Sequence, residues 1–538
     1  MSADRLVKYF DRVVDAPDAI SRLRTFILEL AVRGRLVRQD PNDEPISLLI
    51  KRITAEKLRP DYGDLPNRQL PDSVGETRDM FTLPSSWQWI PATFPASIVS
   101  DLGKKVQTKD VLATGSFPVV DQGKVFVRGY CNDPDRVIRV DTPIILFGDH
   151  TRETKLIDFD FVVGADGVKL LKPIALLPQY YYIALKWLPL DSRGYGRHFR
   201  LLKASWLPLP PLQEQFRIVT KVDELLTLCD ELAATRTKRE AARDRFCSAT
   251  IAPINTPDTD AAAFADGARF AIQSLKLLTT RPHHVKQFRE TILNLAVRGK
   301  LVPQDSNDEP ASQLLKRIAA ERAPRHLAAM DFEVPEDERP FELPKGWLWT
   351  RLRVVGLTQT GTTPPSGNPA LFGDAIPFIT PANLTGRIID YGVRGLSEIG
   401  IAQSRLVKTP SALMVCIGSS IGKVNVSERD ICCNQQINAV TPYFEHSVGF
   451  LALTLQATYF QKLVRSKSGE ATLPIISKAK WQNLPIPLAP LAEQSRVVQK
   501  FNDLTVLCDK LEATLLEGDK LRSRLLNSII AETLTTRS

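Results

Sequence analysis

The sequence predicts an α+β protein in which two mixed, strand-rich domains are joined by long antiparallel coiled-coil helices in a pseudo-two-fold internal repeat. Three pairs of matching segments predict it. Residues 27–45, ILELAVRGRLVRQDPNDEP, are answered by residues 292–310, ILNLAVRGKLVPQDSNDEP. FTLPSSWQW at 81–89 is answered by FELPKGWLW at 341–349, and PLQEQFRIVTKVDELLTLCDEL at 211–232 by PLAEQSRVVQKFNDLTVLCDKL at 490–511. Three markers in the same order twice describe a duplicated module. The offset is 265 from Leu28 to Leu293, 260 from Trp87 to Trp347 and 279 from Pro211 to Pro490. The flanks therefore repeat while the stretches between Trp87 and Pro211 and between Trp347 and Pro490 do not correspond residue by residue. One scaffold presents two different inserts.

In chain order, residues 1–80 are a helical scaffold segment with helices at about 18–37 and 46–58, and residues 81–210 are the first insert. The insert carries short β-prone runs broken by Gly, Pro and Asp, at 116–130, 136–149 and 156–171. Residues 211–251 form the first long helix. Pro211 suits a first helical position, and Glu214 in the first turn complements the positive end of the helix dipole. Phe216, Val219, Val222, Leu225, Leu226, Leu228, Cys229 and Leu232 then recur at three- and four-residue steps. The second copy carries Val497, Val498, Phe501, Leu504, Leu507, Cys508 and Leu511 on to Ile529. A narrow apolar stripe on each of two long helices is what a coiled-coil pair requires, and the first would run roughly 55 to 60 Å at 1.5 Å per residue. Residues 252–281, opening with the low-complexity APINTPDTDAAAFADGA, are expected to be a linker. Residues 282–338 repeat the scaffold segment with a helix from about His283 to Val302 and another over 312–322. Residues 339–488 are the second insert, with β-prone residues 412–426, and residues 489–538 the second long helix.

At 538 residues the chain exceeds the roughly 250 to 300 residues at which single cores stop growing. Its 43% hydrophobic and 24% charged content are ordinary for a globular protein, and a net charge of +9 favours polyanionic partners. The seven cysteines form no CxxC pair and no histidine stands at ligand spacing from them, so reduced thiols in a cytoplasmic chain are expected and no metal site. Cys229 and Cys508, at matching helix positions, are expected to be small core residues. The charged start MSADRLVKYFDRVVDAPDAI does not read as a signal peptide, and no run of 18 apolar residues occurs.

The run LPLPPLQEQ (207–215), its partner IPLAPLAEQ (486–494), and the motifs LPSSWQW and LPKGWLW make the chain resemble the DNA specificity subunit of a type I restriction-modification system. ITPANLTGRI (379–388), IGSSIGKVNV (417–426), NQQIN (434–438) and SGEATLPIISKAKWQNLPIP (468–487) resemble target recognition domain signatures. The segment at 145–173 resembles a different subtype of that domain. The likeness covers nearly the whole length. It implies a non-catalytic reader of a bipartite double-stranded DNA sequence, each insert being a target recognition domain for one half-site. The long helices would set the spacing and bind two methylase subunits, and a restriction or translocase subunit would join for cleavage. S-adenosylmethionine, ATP and Mg²⁺ would belong to those partners, with an adenine flipped out for methylation. The AVRG segments with their NDEP extensions depart from the simplest members and read as extra scaffold or partner contact.

No methyl-donor loop, no amino-methylase catalytic run and no phosphate loop is found, so no catalytic and no cofactor-binding residue is assigned. Two alternatives remain. Pro134–Asp135 with Glu153, Thr154 and Lys155 fits the loose PD…ExK pattern of Mg²⁺-dependent nucleases. A structural adaptor without sequence readout is the other. For DNA contact, phosphates call for Lys and Arg, and base edges for side chains that donate and accept. The candidates are Lys104, Lys105, Lys109, Arg128, Arg152, Arg193, Tyr195, Arg197 and His198 in the first insert. In the second they are Ser419, Ser420, Lys423, Asn434, Gln435, Gln436, Asn438, Lys467, Ser468 and Thr472.

Overall fold

The computed structural model describes residues 2–59, 81–164, 167–191, 196–255, 261–322, 333–385, 388–392, 394–444, 447–469 and 473–535. They form two compact units, one of residues 1–238 and 519–538, the other of residues 239–518.

In the first unit the insert leaves and rejoins the scaffold through an antiparallel pair, Gln88–Pro91 with Trp206–Leu209, in which Gln88 faces Leu209. Beyond this neck stands a four-stranded antiparallel sheet ordered Ala96–Val99, Val168–Pro173, Ile144–Gly148 and Thr154–Ile157. A second, five-stranded sheet is built around Phe161–Gly164. The main core is shared between insert and scaffold. Phe94, Phe147, Tyr180 and Tyr181 from the insert pack in one cluster with Leu23 and Ile27 of the helix Ala19–Val32 and with Ile218, Val222 and Cys229 of the long helix Leu212–Asn255. An insert that shares its core with helices is held in a fixed pose on them.

The second unit repeats the neck as Leu348–Arg351 with Pro485–Leu488, Leu348 facing Leu488. Since 88 maps to 348 at offset 260 and 209 to 488 at offset 279, the neck register is identical in the two copies. The change of offset from 260 to 279 arises inside the loop the neck closes. There the order is Gly356–Thr360, Ile437–Pro442, Ser411–Val415 and Val424–Ser427, with a separate three-stranded sheet of Phe378–Ile379, Ile431–Cys433 and Leu406–Val407. Shared frame and divergent inserts are thus visible in the strand pairing.

The first long helix runs past its expected end, Leu212–Asn255 having 44 residues, and the second, Leu491–Thr535 with 45, falls within its expected span. The first would measure about 66 Å at 1.5 Å per residue. Its apolar stripe is used in two places. Ile218, Val222 and Cys229 bury in the first unit, while Cys247, Ile251 and Ile254 bury in the second with Ala271 and Leu278. The second long helix mirrors this, with Val497 packed beside Ala296, Val297 and Trp347, and Leu526 and Ile529 beside Val13, Ala16 and Ala19. Phe216 and Leu228, counted in the predicted stripe, are exposed. Cys229 and Cys508 are buried, and all seven cysteines are free.

The stretch 252–281, expected as a linker, is largely helical. The long helix continues through Asn255, and Ala261–Gln273 forms a further helix. Its alanine run carries high helix propensity, and Ala271 has a core to enter.

The AVRG and NDEP segments act as clasps. Each scaffold helix ends at a left-handed glycine, Gly34 at φ +66° and Gly299 at φ +67°. A Cβ there would lie 2.5 Å from Pro84 Cγ or Pro344 Cγ, so only glycine lets the neck approach. Gln39 then donates to Glu214 Oε1 at 2.6 Å, and Arg217 pairs with Asp43. The copy repeats this with Gln304 to Glu493 at 2.6 Å and Arg496 with Asp308. Of the two roles the sequence left open, this hydrogen bonding supports scaffold.

Candidate nucleic-acid interface

In the first insert a groove of about 550 Å³ is lined by Lys105, His150, Lys169, Arg197, Arg200 and Lys203 around Asp149 and Phe199. Local hydrogen bonds fix its shape. The backbone oxygen of Asp149 accepts from the His198 amide at 2.7 Å and lies 2.9 Å from His198 Nδ1, and Asp149 Oδ1 accepts from the Phe199 amide at 2.7 Å. The start of the short helix Phe199–Ala204 is thereby tied to the turn after Ile144–Gly148. Lys169 Nζ and Lys203 Nζ stand 5.7 and 5.1 Å from the Phe199 ring centre. Asp149 Oδ1 is taken by the Phe199 amide and Lys105 stands 3.4 Å from the Asp101 carboxylate, while Lys169, Arg200 and Lys203 add the positive charge that draws a polyanion.

Of the sequence candidates, Lys105 and Arg197 line this groove. Lys109 is exposed elsewhere. Lys104 donates to Val137 O at 2.9 Å, and Arg128 stands 3.5 Å from the Asp121 carboxylate. Arg152 is exposed at φ +64° with a guanidinium bond to Leu190 O. His198 is buried and serves the loop. Arg193 and Tyr195 lie outside the described residues. Sequence reasoning missed His150, Lys169, Arg200 and Lys203. Two signals were available: Lys169 is an outward position of Val168–Pro173, and Arg200 and Lys203 sit three apart on one helical turn.

In the second insert the candidates gather where several loops converge. The Cys416 amide donates to Gln436 O at 2.7 Å, Gly418 to Pro474 O at 3.0 Å and Gly361 to Ile437 O at 3.0 Å. Thr363 Oγ1 donates to Gln435. Residues 417–423, 434–436, 361–363 and 473–475 therefore share one end of the domain. Ser419, Lys423 and Gln435 are exposed there and Ser420 half-exposed, while Asn434 Nδ2 donates to Gln436 Oε1 at 2.9 Å. Lys467 is exposed at the end of Thr458–Lys467. Asn438 is buried in the sheet, accepting from Thr360 Oγ1 at 2.8 Å, and Ser468 is buried and donates to Arg465 O, so neither presents its side chain to a ligand. Thr472 lies outside the described residues. Arg405, which the sequence did not single out, is exposed and donates to Thr360 O at 3.0 Å beside this end.

The nuclease-like run has a different use. Lys155 is buried and donates to Asp121 O at 2.8 Å, Val125 O at 2.6 Å and Phe126 O at 3.3 Å. Burial holds its pKa down. An ammonium committed to three carbonyls anchors the loop after Phe117–Val120 and is withheld from a scissile phosphate. Among the described residues one cluster has the donors for a metal ion, Asp244 with His283 and His284, and it lies in neither insert.

Residues 344–518 match the family described as type I restriction modification DNA specificity domain. The chain is 27% identical to the EcoAI type I restriction enzyme specificity subunit of Escherichia coli, over 92% of this chain and 90% of that one. It is 28% identical to the EcoEI specificity subunit of the same species, over 95% and 93%. A solved HsdS subunit from Thermoanaerobacter tengcongensis is 18% identical and aligns over 84% of this chain and 98% of that one, at a TM-score of 0.41. With a matched domain in its second half and relatives spanning nearly its full length, the chain is similar from end to end to type I restriction-modification specificity subunits.

Proposed function

We propose that this chain is the non-catalytic DNA-recognition subunit of a type I restriction-modification complex, each insert reading one half of a bipartite double-stranded target. The observation that carries it is the pair of necks with identical register closing two inserts of different strand order, each exposing its own cationic or amide-rich surface. A frame that repeats while its readers differ suits two unrelated half-sites. The long helices set the spacing between them and dock two methylase subunits. In support of docking, Leu228 and Leu507 occupy equivalent positions and are 48% and 55% exposed. A restriction or translocase subunit completes the complex, with S-adenosylmethionine, ATP and Mg²⁺ bound by the partners. No described helix is long and apolar enough to cross a membrane. A cytoplasmic place of work follows from the proposed role on cellular DNA.

Mapping methylated adenines in a host carrying this chain with its methylase tests the assignment. The expected result is a split, asymmetric motif, of which exchange of residues 81–210 alters one half alone. A palindromic motif would refute the two-reader assignment, and methylation without sequence preference would favour an adaptor.

A further inference from the structure

His283 and His284 open the helix Pro282–Val297, and both point Nε2 at a single oxygen of Asp244 on the long helix, at 2.9 and 2.8 Å. Their ring centres are 4.2 Å apart, and the three ligand atoms lie within 4.8 Å of one another. His284 is fully buried, with Nδ1 3.4 Å from Thr280 Oγ1, the oxygen an outer shell supplies to a ligating imidazole. Arg281 and Arg243 both pair with Glu240, leaving the Asp244 carboxylate to the imidazoles.

The same junction exists in the first unit. There the positions of His283 and His284 are held by Asp18 and Ala19, and that of Asp244 by Ser523. Ser523 Oγ donates to Asp18 Oδ1 at 3.0 Å and Arg22 bonds both Asp18 and Asn527, so this scaffold is closed without imidazole. The two histidines exceed what the junction requires.

We propose that Asp244, His283 and His284 bind a divalent transition-metal ion, zinc in type, that staples the end of the first long helix to the second scaffold helix. A nitrogen, nitrogen, oxygen donor set suits such an ion, water taking the fourth place. Tetrahedral ligands at roughly 2.0 to 2.1 Å from zinc stand about 3.3 Å apart. The two histidine–aspartate distances therefore need to open by about half an ångström, which the half-exposed side chains of Asp244 and His283 allow.

The test uses untagged full-length protein stripped with a chelator and titrated with Zn²⁺ against a chromophoric chelator, with Co²⁺ as a spectroscopic probe and a melting curve at each step. Wild type should take up one Zn²⁺ per chain, show visible Co²⁺ bands and gain in Tm. Asp244→Ser, which installs the first unit's residue, and His283→Gln should keep the apo circular dichroism spectrum. Each should lose affinity at least about tenfold and lose the Tm gain. Ser523→Ala should keep both. Failure of wild type to compete with the chelator, or uptake that survives both ligand substitutions, would overturn the site.

Discussion

Trp87 donates its indole N–H to Glu214 Oε2 at 2.9 Å, joining the start of the first insert to the first turn of the long helix, and Trp347 makes the same 2.9 Å bond to Glu493. Burial raises both carboxyl pKa values, against the opposing pull of the tryptophan and glutamine donors. A raised folded-state pKa contributes stability that is fully present below about pH 4.5 and lost as pH climbs through the folded value. Glu214→Ala strands the indole N–H and should cost about 1 to 3 kcal/mol. Glu214→Gln keeps an acceptor and removes the buried charge, so it should cost less. Its stability relative to wild type should improve as pH rises from 4.5. Urea denaturation at two pH values checks both, and a Gln variant as damaged as the Ala variant throughout would refute the account.

The clasp glycine gives a sharper contrast. Gly34→Ala places a Cβ 2.5 Å from Pro84 Cγ at a left-handed position, whereas Gly103, at φ +73°, has nothing within 4 Å. Both substitutions carry backbone strain, and only the first adds a collision. Gly34→Ala should therefore lose more than about 1 kcal/mol and Gly103→Ala clearly less. Equal losses by chemical denaturation would show that the neck does not press on the scaffold helix.

How much of this was legible in the sequence depended on the range of the interaction involved. The helix expected from about His283 runs over Pro282–Val297, and the 265, 260 and 279 offsets located the insert boundaries at which the neck strands pair. The groove is another matter, because it joins Lys105 of the five-stranded sheet, Lys169 of the four-stranded sheet, His150 in a turn and Arg200 on a short helix, which meet only in the folded domain. Asn438 looked like a base reader because NQQIN is polar, yet it falls within the buried strand Ile437–Pro442. The helix at 261–273 was hidden because a composition of Ala, Asp and Thr suits a linker as well as a short helix with a core to rest on. Contacts between Asp244 and the adjacent histidines leave no spacing signature at all, since they come from two helices crossing.

Lys57 is fully buried, with Nζ 2.9 Å from Phe94 O and 4.9 Å from the Phe94 ring centre, and burial lowers its pKa to about 8. Between that value and 10.5 the unfolded chain binds the proton and the folded one does not, so this residue makes stability rise with pH across the window. Lys57→Met removes the titration. The difference in urea midpoint between wild type and variant should shift in favour of wild type from pH 8 to pH 10. A difference that stays constant would mean the lysine keeps its ordinary pKa.

The two inserts should fail in different ways when their surfaces are cut back. Lys169, Arg200 and Lys203 surround a groove whose chemistry is positive charge, so alanine at each should weaken matched and scrambled duplex alike and lower the slope of log affinity against log salt by about 0.9. Gln435, exposed where four loops of the second insert meet, offers an amide that donates and accepts. Gln435→Ala should cost about 1 to 3 kcal/mol at one base pair of one half-site and leave the salt slope unchanged. The measurement is competition binding by the assembled methylase complex on a matched duplex, single-position variants of it and a scrambled duplex, at two salt concentrations. A first-insert substitution that discriminates among the variants, or a Gln435→Ala effect equal on matched and scrambled DNA, would exchange the roles of the two surfaces.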